Sequence, residues 1–190
     1  MKVGLFFGSF NPIHIGHLAI ANYMVEFTDL DEFWFVITPH NPLKKKISLL
    51  DSHHRYDMVV KAINGENRFQ ISDIEFRLPQ PSFTIDTLTY LQERFPDNLF
   101  VLIMGSDNLE SIHKWKNYEQ ILENHEIYVY PRLKKEGSIL YNEKNVRLVP
   151  APIMEISSSF IRSAIKNKKD IKFYLPSEVY QYIIDMHFYE

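Results

Sequence analysis

The sequence predicts a doubly wound, Rossmann-like α/β domain, a parallel sheet with helices on both faces. Two observations carry that expectation and a third bounds it. Short apolar runs recur along the chain and are apolar throughout rather than in alternation, as in strands buried on both sides. Stretches with helical spacing separate them, the order of a parallel sheet built from strand–helix–strand units. At 190 residues the chain fits a single domain over 1–190, and no linker, repeat or low-complexity tract divides it.

Taken in order, the first strand is Val3–Phe7, and the first helix is Gly16–Phe27. A second apolar run, Phe33–Ile37, is followed by helical spacing over Ser52–Ile63 and again over Ile85–Arg94. Leu99–Met104 and Ile127–Tyr130 read as strands, with the short helix Tyr118–Leu122 between them and a weaker strand at Val146–Val149. Two helices, Ser158–Asn167 and Ser177–Met186, make a helical part over about 157–190, the second with Ser177 as its N-cap after Pro176.

Composition excludes more than it identifies. Hydrophobic residues make up 45% of the chain, which rules out global disorder. The longest apolar run, Leu99–Met104, falls far short of the ~18 residues a membrane helix needs. The opening residues do not read as a secretory signal, so a cytoplasmic location is expected. Without cysteine, disulfide frameworks, thiolate zinc sites and Cys nucleophiles are excluded. A net charge of −3 and a pI near 6.2 argue against a general nucleic-acid binder, though not against a small phosphorylated ligand.

In a doubly wound sheet, ligands bind beyond the carboxyl ends of the strands, where helix N-termini supply N–H donors. The first such end reads Gly8-Ser9-Phe10-Asn11-Pro12-Ile13-His14-Ile15-Gly16-His17. Gly8 permits close backbone approach and Pro12 stops the strand. His14 and His17, three apart at the mouth of a helix, project to one side and suit an anionic phosphate, as donors that can also carry a proton near neutrality. A metal reading lacks a third ligand nearby in sequence, and a dinucleotide fingerprint lacks its further glycines. Late in the chain, Ile156-Ser157-Ser158-Ser159-Phe160-Ile161-Arg162 sets hydroxyls at a helix N-terminus with Arg162 one turn in. Such hydroxyls cap a helix or bind phosphate oxygens, and the guanidinium can clamp an oxyanion.

Gly8–His17 resembles the Gly-x-Phe-(Asp/Asn)-Pro-x-His-x-Gly-His signature of the nucleotidyltransferase superfamily, and Ser157–Arg162 resembles its second signature. Between them, Ser72-Asp73-Ile74-Glu75-Phe76-Arg77, Pro81-Ser82-Phe83-Thr84-Ile85-Asp86-Thr87-Leu88 and Met104-Gly105-Ser106-Asp107-Asn108-Leu109 with Trp115 are similar to the nicotinate-nucleotide adenylyltransferases. The closing segment from Tyr174-Leu175-Pro176 to Tyr189 is similar too, so the likeness spans essentially the whole chain.

The resemblance implies transfer of AMP from ATP to nicotinate mononucleotide in NAD biosynthesis, with Mg²⁺ bound along with ATP. It implies that Gly8, Ser9, Phe10, His14 and His17 hold the ATP phosphates. Ser158, Ser159 and Arg162 would hold them from the opposite side, with Ile156 against the adenosine. His14, His17 and Arg162 would be the catalytic groups. Asn11, Thr84, Asp107 and Trp115 would form the pocket of the nicotinate nucleotide. Plainer readings stay open for three of these: Thr84 and Asp107 as helix caps, and Trp115 as core. One loop departs from the family pattern, since Pro39-His40-Asn41-Pro42-Leu43-Lys44-Lys45-Lys46 lacks the usual second proline and histidine. Lys44 is the expected phosphate contact there, with His40 and Lys45 as alternatives. No role is carried onto Arg132, where Pro131-Arg132-Leu133 replaces the family's turn.

Small-molecule substrates are the expected partners, with no nucleic acid and no membrane, and association into a homo-oligomer is left open. Competing functions are phosphopantetheine adenylyltransferase, which shares both end motifs but not the central ones, and a non-catalytic nucleotide sensor, which has no need of the whole constellation.

Overall fold

The computed structural model describes residues 1–39, 49–132 and 139–190. One all-parallel sheet contains β1 (Lys2–Gly8), β2 (Glu32–Ile37), β3 (Phe69–Ser72), β4 (Leu99–Gly105), β5 (Glu126–Tyr130) and β6 (Val146–Leu148). Their order across the sheet is β3-β2-β1-β4-β5-β6. The helices are α1 (Ile15–Phe27), α2 (Ser52–Ile63), α3 (Thr84–Arg94), α4 (Ser106–Glu110), α5 (Tyr118–Asn124), α6 (Ser158–Lys166) and α7 (Ser177–Asp185).

Alternate residues of β1, β2, β4 and β5 feed two separate cores, as the period of two requires. Phe6, Phe33, Phe35, Ile103 and Tyr128 face one side, where they meet Ala21 and Met24 of α1, Met58 of α2, Ile161 of α6 and Ile183 of α7. Leu5, Val36, Leu102, Met104 and Ile127 face the other, against Leu88 of α3, Leu109 of α4 and Ile121 of α5. Both faces are covered, so the four inner strands β1, β2, β4 and β5 are largely apolar, and the doubly wound expectation stands.

Strand order reverses between β1 and β4, which puts the crevice of the fold beyond Gly8 and Gly105. Arg55 organises one wall of it from beneath. This side chain is buried, yet its guanidinium donates to the carbonyls of Ser9 (2.7 Å), Thr38 (2.9 Å), Pro39 (3.0 Å) and Leu50 (3.0 Å). Burial draws its pKa down to about 10, so it remains a cation at neutral pH. On the opposite core, buried Glu75 accepts from Ser82 Oγ (3.0 Å) and Thr87 Oγ1 (2.9 Å), which ties the loop before α3 to the helix. Burial raises the pKa of that carboxyl.

Several local expectations are corrected. β3 is not apolar enough to read as a run, because Phe-Gln-Ile-Ser lies at the sheet edge with only Phe69 buried. α4 is too short for a period to show. The N-cap of α7 is Pro176 rather than Ser177, since the extended residue before a helix takes that place. Likewise Phe83, not Thr84, caps α3, and Gly105, not Asp107, caps α4. α1 starts one residue earlier than expected, at Ile15. α6 and α7 end one residue sooner than expected, at Lys166 and Asp185.

Candidate active site

The loop after β1 is held in a strained form that only its packing explains. Phe10 has φ 44°, a left-handed backbone costly for an aromatic residue, at roughly 1–3 kcal/mol. Its ring is buried edge-on against Phe6 (5.8 Å), Phe35 (5.5 Å) and His17 (5.2 Å), which offsets the strain. Gly8 makes this possible, because a Cβ there would sit 2.7 Å from the Phe10 ring.

From that loop the chain enters α1, and the two histidines come together as their spacing predicts. Their rings stack at 3.7 Å between centroids with 25° between planes. The His14 N–H donates to His17 Nδ1 at 3.2 Å, so Nδ1 is unprotonated and the ring proton of His17 sits on Nε2. His14 is buried, and its Nδ1 has no hydrogen-bond partner among the described residues. Burial first, and then the charge of Arg132, push its pKa down to about 4. The expectation that His14 carries a proton near neutrality is therefore corrected. It is a neutral imidazole at working pH.

The second motif docks onto the first. Ser157 Oγ caps α6 by accepting from Phe160 N–H (3.2 Å), which frees the next two hydroxyls from that task. Ser158 Oγ donates to the Pro12 carbonyl (2.9 Å). Arg162 donates through Nη1 to the Asn11 carbonyl (2.7 Å) and through Nη2 to Ser159 Oγ (3.3 Å). Asn11 Oδ1 accepts from Leu50 N–H (3.3 Å) and from the Tyr189 hydroxyl (2.8 Å).

A cavity of about 430 Å³ opens between these segments and the end of β4. Of the expected site residues, Gly8, Ser9, Phe10, Asn11, His14, His17, Asp107, Ile156, Ser158, Ser159 and Arg162 line it. Thr84 and Trp115 do not. Thr84 begins α3, and half-buried Trp115 packs against the second core. Lys44, His40 and Lys45 lie outside the described residues.

Arg132, to which the sequence reading gave no role, also lines the cavity. It follows β5 directly, its N–H donates to Ser106 Oγ (3.0 Å), and its Nη1 donates to the Met154 carbonyl (3.2 Å). Its Nε lies 3.9 Å from Asp107 Oδ1. Gly105 makes room for this pair, since a Cβ there would meet Asp107 Oδ1 at 2.4 Å and Arg132 Cγ at 2.9 Å. The strand-end rule alone marks Arg132 as a candidate, as it does Asp107.

Two arginines, the imidazoles of His14 and His17 and a helix N-terminus face one space, with Asp107 as the acidic side chain among the described lining residues. That arrangement suits a polyphosphate. The donor set contains no metal cage: among the described residues, no group of three or more His, Asp or Glu is placed to hold an ion. No helix among them is long and apolar enough to cross a membrane.

Comparison with known proteins agrees with the site. The cytidylyltransferase-like family model matches residues 5–164. A relative from Christiangramia forsetii named "Probable nicotinate-nucleotide adenylyltransferase" is 57% identical over 100% of this chain and 98% of its own. A relative of the same name from Bacteroides fragilis is 48% identical over 96% of this chain and 91% of its own. Among solved structures, the Plasmodium falciparum nicotinic acid mononucleotide adenylyltransferase complexed with NaAD superposes with a TM-score of 0.83 at 25% identity, covering 99% of this chain and 97% of that one. On these matches, together with both end motifs meeting at one cavity, the chain belongs to the cytidylyltransferase-like family and, within it, to the nicotinate-nucleotide adenylyltransferases.

Proposed function

We propose that the protein transfers AMP from ATP to nicotinate mononucleotide, forming nicotinate adenine dinucleotide and pyrophosphate in NAD biosynthesis. The observation that carries this reading is the Arg162–Asn11 contact, which joins two phosphate-binding motifs around one cavity. The names of the relatives support the choice of acceptor, as do the Plasmodium enzyme's complexes with NaAD and with APC.

The acceptor is a phosphate monoester with a second pKa near 6, so at pH 7 it is largely a dianion. One of its oxygens attacks the α-phosphorus of ATP, and the bond to the bridging oxygen of the leaving pyrophosphate breaks. No general base is needed, and none is assigned. The work of the protein is positioning and charge stabilisation.

His17 would donate through Nε2–H, the atom its Nδ1 hydrogen bond leaves protonated, to oxygens of the reacting phosphates. His14, whose cation burial disfavours in the empty site, would act as a hydrogen-bond donor. Arg162 and Ser159 would grip the triphosphate from the α6 side, together with the main-chain N–H of Ser158, whose hydroxyl proton goes to the Pro12 carbonyl, while the Gly8–Phe10 backbone meets it from β1. Arg132 adds a second cation beside Asp107, and Lys44 would contribute a point charge from its loop. Ile156 would lie against the adenosine. Asn11 and Asp107 would meet the acceptor, and Thr84 and Trp115 keep that assignment on the family resemblance alone. Mg²⁺ would enter with ATP, coordinated by phosphate oxygens and water, and supply further neutralisation of the triphosphate. That fits a cavity whose described carboxylate is already paired with Arg132.

The reading is tested by the partition of label. With nicotinate mononucleotide present, label on the α-phosphate of ATP must enter a dinucleotide, and label on the γ-phosphate must leave in pyrophosphate. Release of γ-label as inorganic phosphate would contradict it.

A further inference from the structure

The segment after α7 is built into the nucleotide site. His187 (φ 53°) and Tyr189 (φ 69°) both take the left-handed backbone that non-glycine residues avoid, and such strain persists only where its surroundings fix it. The Phe188 N–H donates to the Ile183 carbonyl (3.1 Å), and the Phe188 ring packs on His54 of α2 (4.9 Å) and Tyr182 of α7 (5.7 Å). These contacts turn Tyr189 inward. Its hydroxyl reaches Asn11 Oδ1 at 2.8 Å, across 178 positions of sequence.

Asn11 Oδ1 takes a second donor, Leu50 N–H at 3.3 Å, so both of its acceptor sites are engaged on that side. Two donors on one oxygen decide which way a carboxamide is turned, with the oxygen toward Tyr189 and the amide nitrogen away from it. Asn11 is 3% exposed and lines the cavity, and its main-chain carbonyl holds Arg162. Burial keeps the Tyr189 hydroxyl protonated far above its ordinary range, so it is a donor at any working pH.

We propose that Tyr189 is a positioning residue for the acceptor nucleotide: its hydroxyl fixes the orientation of the Asn11 amide, and through it the affinity for nicotinate mononucleotide. The inference rests on the placement of Asn11 against that acceptor. Tyr189 touches no reacting atom in this account, and ATP is gripped by other groups.

The test is steady-state kinetics of the full chain and of Tyr189→Phe, which removes one oxygen and leaves the ring in place. The KM for nicotinate mononucleotide is expected to rise about five-fold, the scale of a single neutral hydrogen bond. The kcat and the KM for ATP should stay within about two-fold. In an Asn11→Ala background the same substitution should change the acceptor KM no further. An unchanged acceptor KM in Tyr189→Phe overturns the proposal. So does a rise in both KM values with a lowered Tm, which is what a merely structural tyrosine gives, and so does a full additional effect in the Asn11→Ala background. Wild-type protein inactive with nicotinate mononucleotide defeats the functional reading itself, and the inference with it. Activity of the wild type with an unaltered variant defeats the inference alone.

Discussion

Arg162 Nη1 lies 2.7 Å from the main-chain oxygen of Asn11, so the guanidinium that faces the cavity is also the strap between the two motifs. A planar fork can serve both purposes at once, one edge on the carbonyl and another on phosphate. A lysine cannot. Arg162→Lys is therefore expected to fold with a Tm within a few degrees of wild type. Its kcat/KM should fall by at least ~100-fold, the scale of losing one preorganised donor in a phosphate site. Melting curves and pyrophosphate release measured on one preparation check both halves. A loss under about three-fold would remove Arg162 from the site.

His17→Ala should lower kcat by about 10²–10³-fold without unfolding the protein. The His17 ring contributes a donor at Nε2 and an edge to Phe10, and the first matters to turnover while the second matters to the loop. Circular dichroism separates them. Near-normal turnover in a folded variant would contradict the role given to this residue.

His14 makes the fold sensitive to acid. Its pKa of about 4 in the folded chain lies below the 6.5 of a free imidazole, because burial penalises the cation. Between those values the unfolded chain takes up the proton and the folded one does not, so stability falls as the pH drops from about 6.5 to 4. The group's contribution is of order 3 kcal/mol, fully present above pH 6.5. Urea unfolding of wild type and His14→Gln across that range should show a shallower fall in the variant. Parallel curves would mean that His14 takes up its proton in the folded protein.

Arg55→Met is expected to destabilise the fold by about 3–5 kcal/mol, since it takes the shared donor from the part-buried carbonyls of Ser9, Thr38, Pro39 and Leu50. For a chain of this size that corresponds to a Tm lower by roughly 10 °C or more. Thermal melting tests it, and a shift of less than 3 °C would show that other donors satisfy those oxygens.

Much of this was legible in the sequence because it is encoded locally. Strands such as Leu99–Gly105 are buried on both faces and show themselves as unbroken apolar runs. The Gly8–His17 turn carries its chemistry in ten consecutive residues. Ser157–Arg162 does so in six. What escaped was either marginal or distant. β3 presents one buried residue and so leaves no pattern. Arg132 has no motif around it, and only its place at a strand end marks it. The neutrality of His14 depends on burial that no local sequence reveals. Arg55 and Tyr189 act through main-chain carbonyls and a side chain brought near by the fold, as in the Tyr189–Asn11 bond.

The central claim is the identity of the acceptor, and pyrophosphate release tests it most directly. Protein, Mg²⁺ and ATP are supplied in parallel with nicotinate mononucleotide, nicotinamide mononucleotide or phosphopantetheine. Acceptor-dependent release is expected with nicotinate mononucleotide and none with phosphopantetheine. Release with phosphopantetheine alone, or with no acceptor at all, would contradict it.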